Sequence, residues 1–199
     1  MDLTGIRRYT PTRVAESDRE AAVLAPIIRQ GDSCDILFTK RSEQLGKHPG
    51  QMSFPGGGRE PEDADLAATA LREANEEIGL EASETDVVGA IDDIETVTRY
   101  LVRPFVGLVP DRPYTPDEYE VAEIARLSVE DLTDRTNYES EHRDHPDYGR
   151  IRVHFFHVDG YTVWGATGRM VAQLLELTTD WEIPPEVDRV ADYDAELPI

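Results

Sequence analysis

Arg72-Glu73-Ala74-Asn75-Glu76-Glu77-Ile78-Gly79-Leu80 is the stretch that organises the rest of the chain. It closes a segment, residues 65–78, in which Ala67, Leu71, Ala74 and Ile78 recur at helical spacing. Asp63 or Asp65 is placed to cap the start of this helix and Gly79 to end it. On the helix Glu73, Glu76 and Glu77 stand at i, i+3 and i+4, so the spacing predicts that they share one face, apart from the apolar stripe. Each like-charged pair costs about 0.2–0.5 kcal/mol on a helix. No Lys or Arg lies four residues beyond any of the three, and Arg72 reaches Glu76 only in the less favourable order. A divalent cation removes the repulsion. A carboxylate set with open positions suits Mg²⁺ or Mn²⁺, ions that keep waters and bind substrate phosphates. The plainer alternative is a solvated acidic face.

Upstream of this helix, residues 48–58 are glycine-rich and expected to be irregular, ending in Phe54-Pro55-Gly56-Gly57-Gly58. Before them, 21–29 and 36–39 read as strands joined by a turn at Gly31-Asp32-Ser33, with Pro26 placing the first at an edge or a bulge. Downstream, strands are expected at 87–91, 101–109, 121–127 and 151–158, with proline-rich 110–116 as a loop. Residues 137–149 read as a polar loop with exposed His142 and His145. His154 and His157, three apart on a strand, face opposite sides and cannot share a metal. An amphipathic helix is expected at 167–177, striped by Met170, Val171, Leu174 and Leu175. The first 20 residues read as a short helix or arm, and 184–199 as a loosely docked acidic tail. Strands with two substantial helices predict an α/β protein, a mixed sheet between helical layers, as one domain over 1–199 with its core at about 20–178.

The chain has 199 residues, of which 39% are hydrophobic and 31% charged. No apolar run approaches the ~20 residues that span a membrane, the N-terminus has no signal-like apolar core, and Cys34 is the only cysteine. A cytoplasmic protein is expected. The net charge is −21, which opposes duplex nucleic acid and anionic membranes as partners. Only Lys40 and Lys47 are lysines; the other basic residues are arginine. Acid excess with scarce lysine resembles proteins of salt-loving organisms, the alternative being an ordinary acidic enzyme. One region runs against the total. From Phe38 to Arg59 the cations Lys40, Arg41, Lys47 and Arg59 meet the single acid Glu43. Such an island suits a phosphate-rich ligand, with arginine gripping phosphate bidentately and lysine as a point charge. Glycines 56–58 allow backbone to approach a ligand closely.

The segment Arg72–Leu80 resembles the second half of the Nudix hydrolase box, G-x5-E-x7-R-E-U-x-E-E-x-G-U, with small Ala74 in an aliphatic slot. Counting back puts Gly58 at the glycine position but Ala64 at the glutamate position. Taking Gly57 instead, with one residue inserted, places Asp63 in the acidic slot. A narrower likeness lies upstream. The coenzyme A pyrophosphatase branch carries L-L-T-x-R-S-x3-R-x3-G-x3-F-P-G-G. Here Leu37-Phe38-Thr39-Lys40-Arg41-Ser42, Gly50 and Phe54-Pro55-Gly56-Gly57 stand in register. Gly46 replaces the arginine, with Lys47 beside it. The run Val163–Arg169 is similar to the same branch. The resemblance implies a Nudix-like α/β/α fold and a metal-dependent hydrolase of the coenzyme A pyrophosphate, releasing 4′-phosphopantetheine and adenosine 3′,5′-bisphosphate. It implies Glu73, Glu76 and Glu77 as ligands of Mg²⁺ or Mn²⁺ and Arg72 as the group orienting them. The general base varies in this family; Glu76 is one candidate and Glu120, after the proline-rich loop, another, and the resemblance implies Lys40, Arg41, Ser42, Lys47, Gly50, Phe54 and Gly57 as the substrate-binding set. A homodimer is compatible with the resemblance. The alternatives are a pyrophosphatase of ADP-ribose, dinucleotides or nucleoside triphosphates, and a non-catalytic nucleotide-binding regulator. Retention of all three box glutamates argues against the last.

Overall fold

The computed structural model describes residues 1–14, 19–31, 33–44, 50–96, 100–146 and 148–197. In chain order the elements are α1 (Thr4–Arg8), β1 (Glu20–Gln30), β2 (Ser33–Arg41), β3 (Met52–Ser53), β4 (Gly56–Gly58) and α2 (Leu66–Ile78). Then come β5 (Asp86–Ala90), β6 (Ile94–Glu95), β7 (Leu101–Val109), β8 (Val121–Ser128), α3 (Val129–Thr133), β9 (Tyr138–His145) and β10 (Gly149–Val158). The chain closes with β11 (Tyr161–Trp164), α4 (Gly165–Thr178) and β12 (Arg189–Ala191).

The expected α/β architecture with a mixed sheet is present. The main sheet runs β3-β2-β1-β7-β5, with β4, β6 and β8 pairing β1, β7 and β2. β1 is parallel to β7 and antiparallel to β2, and β2 is antiparallel to β8. A second, smaller sheet, β11-β10-β9-β12, adds a layer that the sequence reading did not resolve. Alternation along the strands of the main sheet supplies two cores. Ala22, Leu24, Ile28 and Leu37 face α2 and meet Leu66, Ala70, Ala74 and Ile78. Ala25, Ile27, Ile36 and Phe38 face the second sheet and α4, meeting Phe156, Val163, Met170, Val171 and Leu174. Cys34 is a buried free thiol. Among the described residues no helix is long and apolar enough to cross a membrane.

Several sequence expectations need correction. β1 is a central strand despite Pro26. Its N–H groups alternate sides, and Leu24 N donates to Pro55 O at 2.9 Å on the side shared by β4 and β2. The Pro26 nitrogen faces the same way, where β1 changes partner from β4 at Val23 to β2 at Ile27, so no rung of the ladder is lost there. Gly56–Gly58 is a strand on β1, not irregular chain. α2 begins after Asp65, whose carboxylate accepts from Ala68 N at 2.8 Å, and ends at Gly79 with φ 65°. Its buried face is Leu66, Ala70, Ala74 and Ile78 with Thr69 and Glu77, whereas Ala67 and Leu71 are only half-buried.

The expected polar loop at 137–149 is mostly strand β9, and His145 is buried rather than exposed. Its polarity misleads because its charges are paired internally. Glu141, fully buried, accepts from Arg143 and from Arg189 Nε at 2.6 Å. The tail is docked, not loose. β12 lies parallel to β9, Arg143 donates to the carbonyls of Tyr193 and Ala195, and Arg152 to those of Pro184 and Glu186. Asp32, Gly46, Lys47 and His48 lie outside the described residues.

Candidate active site

The box glutamates occupy the C-terminal half of α2, but they do not form the uniform face that their spacing predicts. Glu76 is exposed, Glu73 is half-buried, and Glu77 is only 5% exposed, on the side of the helix that packs against the sheet. Arg72 ties the group together. Its Nη1 lies 3.0 Å from Glu73 Oε1 and 2.9 Å from Glu76 Oε2, and Nη2 donates to Gly58 O at 2.9 Å. Its Nε donates to Asp63 Oδ1 at 3.0 Å. Asp63 also accepts from Glu60 N and Thr69 Oγ1, both at 2.9 Å. With the Arg72 guanidinium first among these donors, the Asp63 carboxyl is held well below the usual range, and the Arg72 pKa is raised in turn.

This geometry distinguishes the two alignments left open by the sequence. Asp63, not Ala64, meets Arg72. A Cβ on Gly57 would stand 2.4 Å from Glu73 Oε1, whereas one on Gly58 would meet nothing within 4 Å. Gly57 is therefore the glycine that Glu73 requires, and the one inserted residue falls between Asp63 and Arg72.

Burial pushes the Glu77 carboxyl up to about 8, reinforced by the Glu73 charge and opposed by the Gly56 N–H and Arg41. Burial also raises Glu73. Glu77 Oε2 is buried without a hydrogen-bond partner. Among the described residues no three His, Cys, Asp or Glu side chains close into a cation cage. What is present is an open carboxylate set: one buried, unsatisfied oxygen beside a second desolvated carboxylate, with the bare Gly57 backbone against it. Oxygen donors so arranged fit a hard divalent cation that keeps part of its water shell.

Glu120 reaches this neighbourhood through the loop after β7. Thr115 N bonds to Ile78 O, Asp117 N to Glu77 O at 2.9 Å, and Ser42 N to Glu120 O at 2.9 Å. The Glu120 charge contributes to raising both Glu73 and Glu77. Ser42 is buried and holds the loop through its backbone. Arg41 lies on the α2 face of β2 and acts on Glu77. Its N–H and C=O close a turn with Gln51 and Gly50, where Gly50 has φ 70°.

Two expected substrate contacts are placed elsewhere. Phe54 is 2% exposed and stacks on Phe38 at 5.0 Å, so it is a core residue. Lys40, by strand alternation, points with Ile36 and Phe38 to the face opposite Arg41. Lys47 lies outside the described residues. Sequence reasoning missed the Gly56 N–H and the burial of Glu77; the signal for the second was Glu77 at i+3 from Ala74 and i+7 from Ala70.

An arginine-tied carboxylate helix, packed under a glycine strand of a mixed sheet, defines a hydrolase site of the Nudix kind. The NUDIX domain model matches residues 18–147, and the chain belongs to this family of pyrophosphohydrolases, which generally use divalent metal ions. It is 36% identical over 166 residues to the Nudix hydrolase NudL of Cronobacter sakazakii, described as uncharacterized, covering 82% of this chain and 84% of that one. NudL of Escherichia coli O157:H7 is 36% identical over 164 residues, covering 78% and 81%. A MutT/nudix family protein from Enterococcus faecalis shares the fold at TM-score 0.50 and 12% identity, covering 86% of this chain and 64% of that one.

Proposed function

We propose that the chain hydrolyses the pyrophosphate of coenzyme A or its derivatives with Mg²⁺ or Mn²⁺, releasing 4′-phosphopantetheine and adenosine 3′,5′-bisphosphate. The observation that carries the hydrolytic site is the buried, unpartnered Glu77 Oε2 beside Glu73. The substrate rests on the likeness of Leu37–Ser42, Gly50 and Phe54–Gly57 to the coenzyme A branch.

Glu73, Glu76 and Glu77 hold the cation. When bound, it screens the phosphate charge and acidifies a coordinated water. Arg72 fixes Glu73 and Glu76 at 3.0 and 2.9 Å, so little reorganisation is needed as the reaction proceeds. Arg41, whose charge acts on Glu77, binds the phosphates. Water adds to one phosphorus, the bridging P–O bond breaks, and two phosphate monoesters leave. Glu76, exposed and anchored, accepts the proton of the attacking water. Glu120 is the second candidate for that role, because it approaches Glu73 and Glu77 from the opposite loop.

The test is a panel of coenzyme A, ADP-ribose, NADH and dNTPs in Mg²⁺ and Mn²⁺ at high salt. Coenzyme A is expected to be cleaved with the highest kcat/KM; preference for ADP-ribose overturns the substrate assignment. Glu76→Gln and Glu77→Gln are each expected to lower turnover by about two orders of magnitude or more while the protein stays folded. Wild-type rates in both refute the metal assignment.

A further inference from the structure

A cleft of about 530 Å³ opens at the end of the glycine strand, lined by Arg19, Glu20, Gly58, Arg59, Glu60 and Tyr100 among others. The strand separates it from the glutamates by very little: Gly57 abuts Glu73, and the next residue, Gly58, walls the cleft while its carbonyl accepts from Arg72. Backbone pairing fixes the walls. Leu101 N bonds to Arg19 O and Arg59 N to Glu20 O, both at 2.9 Å, and Tyr100 N bonds to Thr96 Oγ1 at 3.0 Å. The exposed Arg19 guanidinium lies over the Tyr100 ring, 4.7 Å from its centroid. Arg59 Nη1 is held by Glu20 Oε2 at 2.8 Å.

The cleft is charge-balanced, with two arginines against two glutamates, so it is not built as a phosphate trap. It offers a flat guanidinium–aromatic platform, edged by both donors and carboxylate acceptors. A planar heterocycle that stacks and also carries hydrogen-bonding edges matches that chemistry, and a nucleobase is such a group. We infer that this cleft takes the purine base of the substrate, stacked on Arg19 and Tyr100, while the pyrophosphate crosses the glycine strand to the glutamates. The second half of that statement rests on the proposed hydrolysis; the base site itself does not.

The base site is tested on metal-free protein by ligand-observed NMR with AMP and with ribose 5-phosphate. AMP is expected to bind the wild type and to lose about tenfold in affinity in both Arg19→Ala and Arg19→Lys, because lysine keeps the charge but not the plane. Ribose 5-phosphate is expected to be unaffected by either change. AMP binding that survives in Arg19→Lys, or that is absent from the wild type, overturns the assignment whatever the enzyme hydrolyses. In turnover, Arg19→Ala is expected to raise KM for an adenine-bearing pyrophosphate about tenfold with kcat within twofold. An unchanged KM shows that the substrate base lies elsewhere. Failure of the wild type to cleave any pyrophosphate refutes the proposed function and leaves the AMP measurement to decide the cleft.

Discussion

At the scale of the residue, the site depends on the absence of one carbon atom. Gly57 leaves room for the Glu73 carboxylate where a Cβ would approach to 2.4 Å, while Gly58 has open space. The clashing group is the far end of a flexible side chain, so Gly57→Ala is expected to fold and to displace Glu73. Thermal melts should shift by only a few degrees, and initial rates should fall by about tenfold or more, the usual effect of misplacing a catalytic group. Gly58→Ala, which adds the same Cβ where nothing lies within 4 Å of it, should melt as the wild type does. Wild-type rates in Gly57→Ala would show that Glu73 has no need of its present position. Gly56 differs from both: φ is 159° and an added Cβ would lie 2.4 Å from Ala22 O, a backbone atom that cannot yield cheaply.

At the scale of the element, the second sheet carries a titratable group unrelated to the glutamates. His154, on β10, is buried and bonds through Nδ1 to the Tyr138 hydroxyl at 2.8 Å. Burial, with the charges of Arg152 and Arg169, lowers its pKa from 6.5 to about 4. The unfolded chain therefore binds more protons than the folded one between these values. Stability is complete above pH 6.5 and is lost as the pH falls toward 4, by up to about 3 kcal/mol. Urea unfolding of wild type and His154→Gln across that range checks this: the wild type should weaken relative to the variant, and a constant difference would refute it. The sequence made α2, α4, β7 and β10 legible because their apolar periodicity is strong. The carboxylate trio and Arg72 were legible as chemistry, though not the burial of Glu77, because a hydrophobic pattern assigns charged residues to the surface. β9 and β12 were hidden for the same reason: the Glu141–Arg143–Arg189 pairs neutralise one another inside the fold, and only the tertiary structure reveals the partners. Pro26 was misjudged because strand rules for proline assume one partner along the whole edge.

At the scale of the molecule, the net charge of −21 sets a self-repulsion that salt relieves. Screening shortens from about 10 Å at 0.1 M to about 3 Å at 1 M. Raising KCl from 0.1 to 2 M is expected to increase Tm by several degrees or more, with most of the gain below 1 M. A flat or falling Tm would refute a composition suited to high salt. The same large scale gives the glycine strand another significance. β4 is a rung of the main sheet, laid on β1, which is itself held on its other edge by β7 along nearly its whole length. The site's backbone therefore cannot breathe by itself. In hydrogen–deuterium exchange the Arg59 amide, bonded to Glu20 O, should exchange as slowly as the amides of central β1, through global unfolding alone. Fast exchange at Arg59 would mean that the strand opens independently. Slow exchange would make the rigidity of the backbone against Glu73 a property of the entire sheet, so that changes far out on β7 become audible at the glutamates.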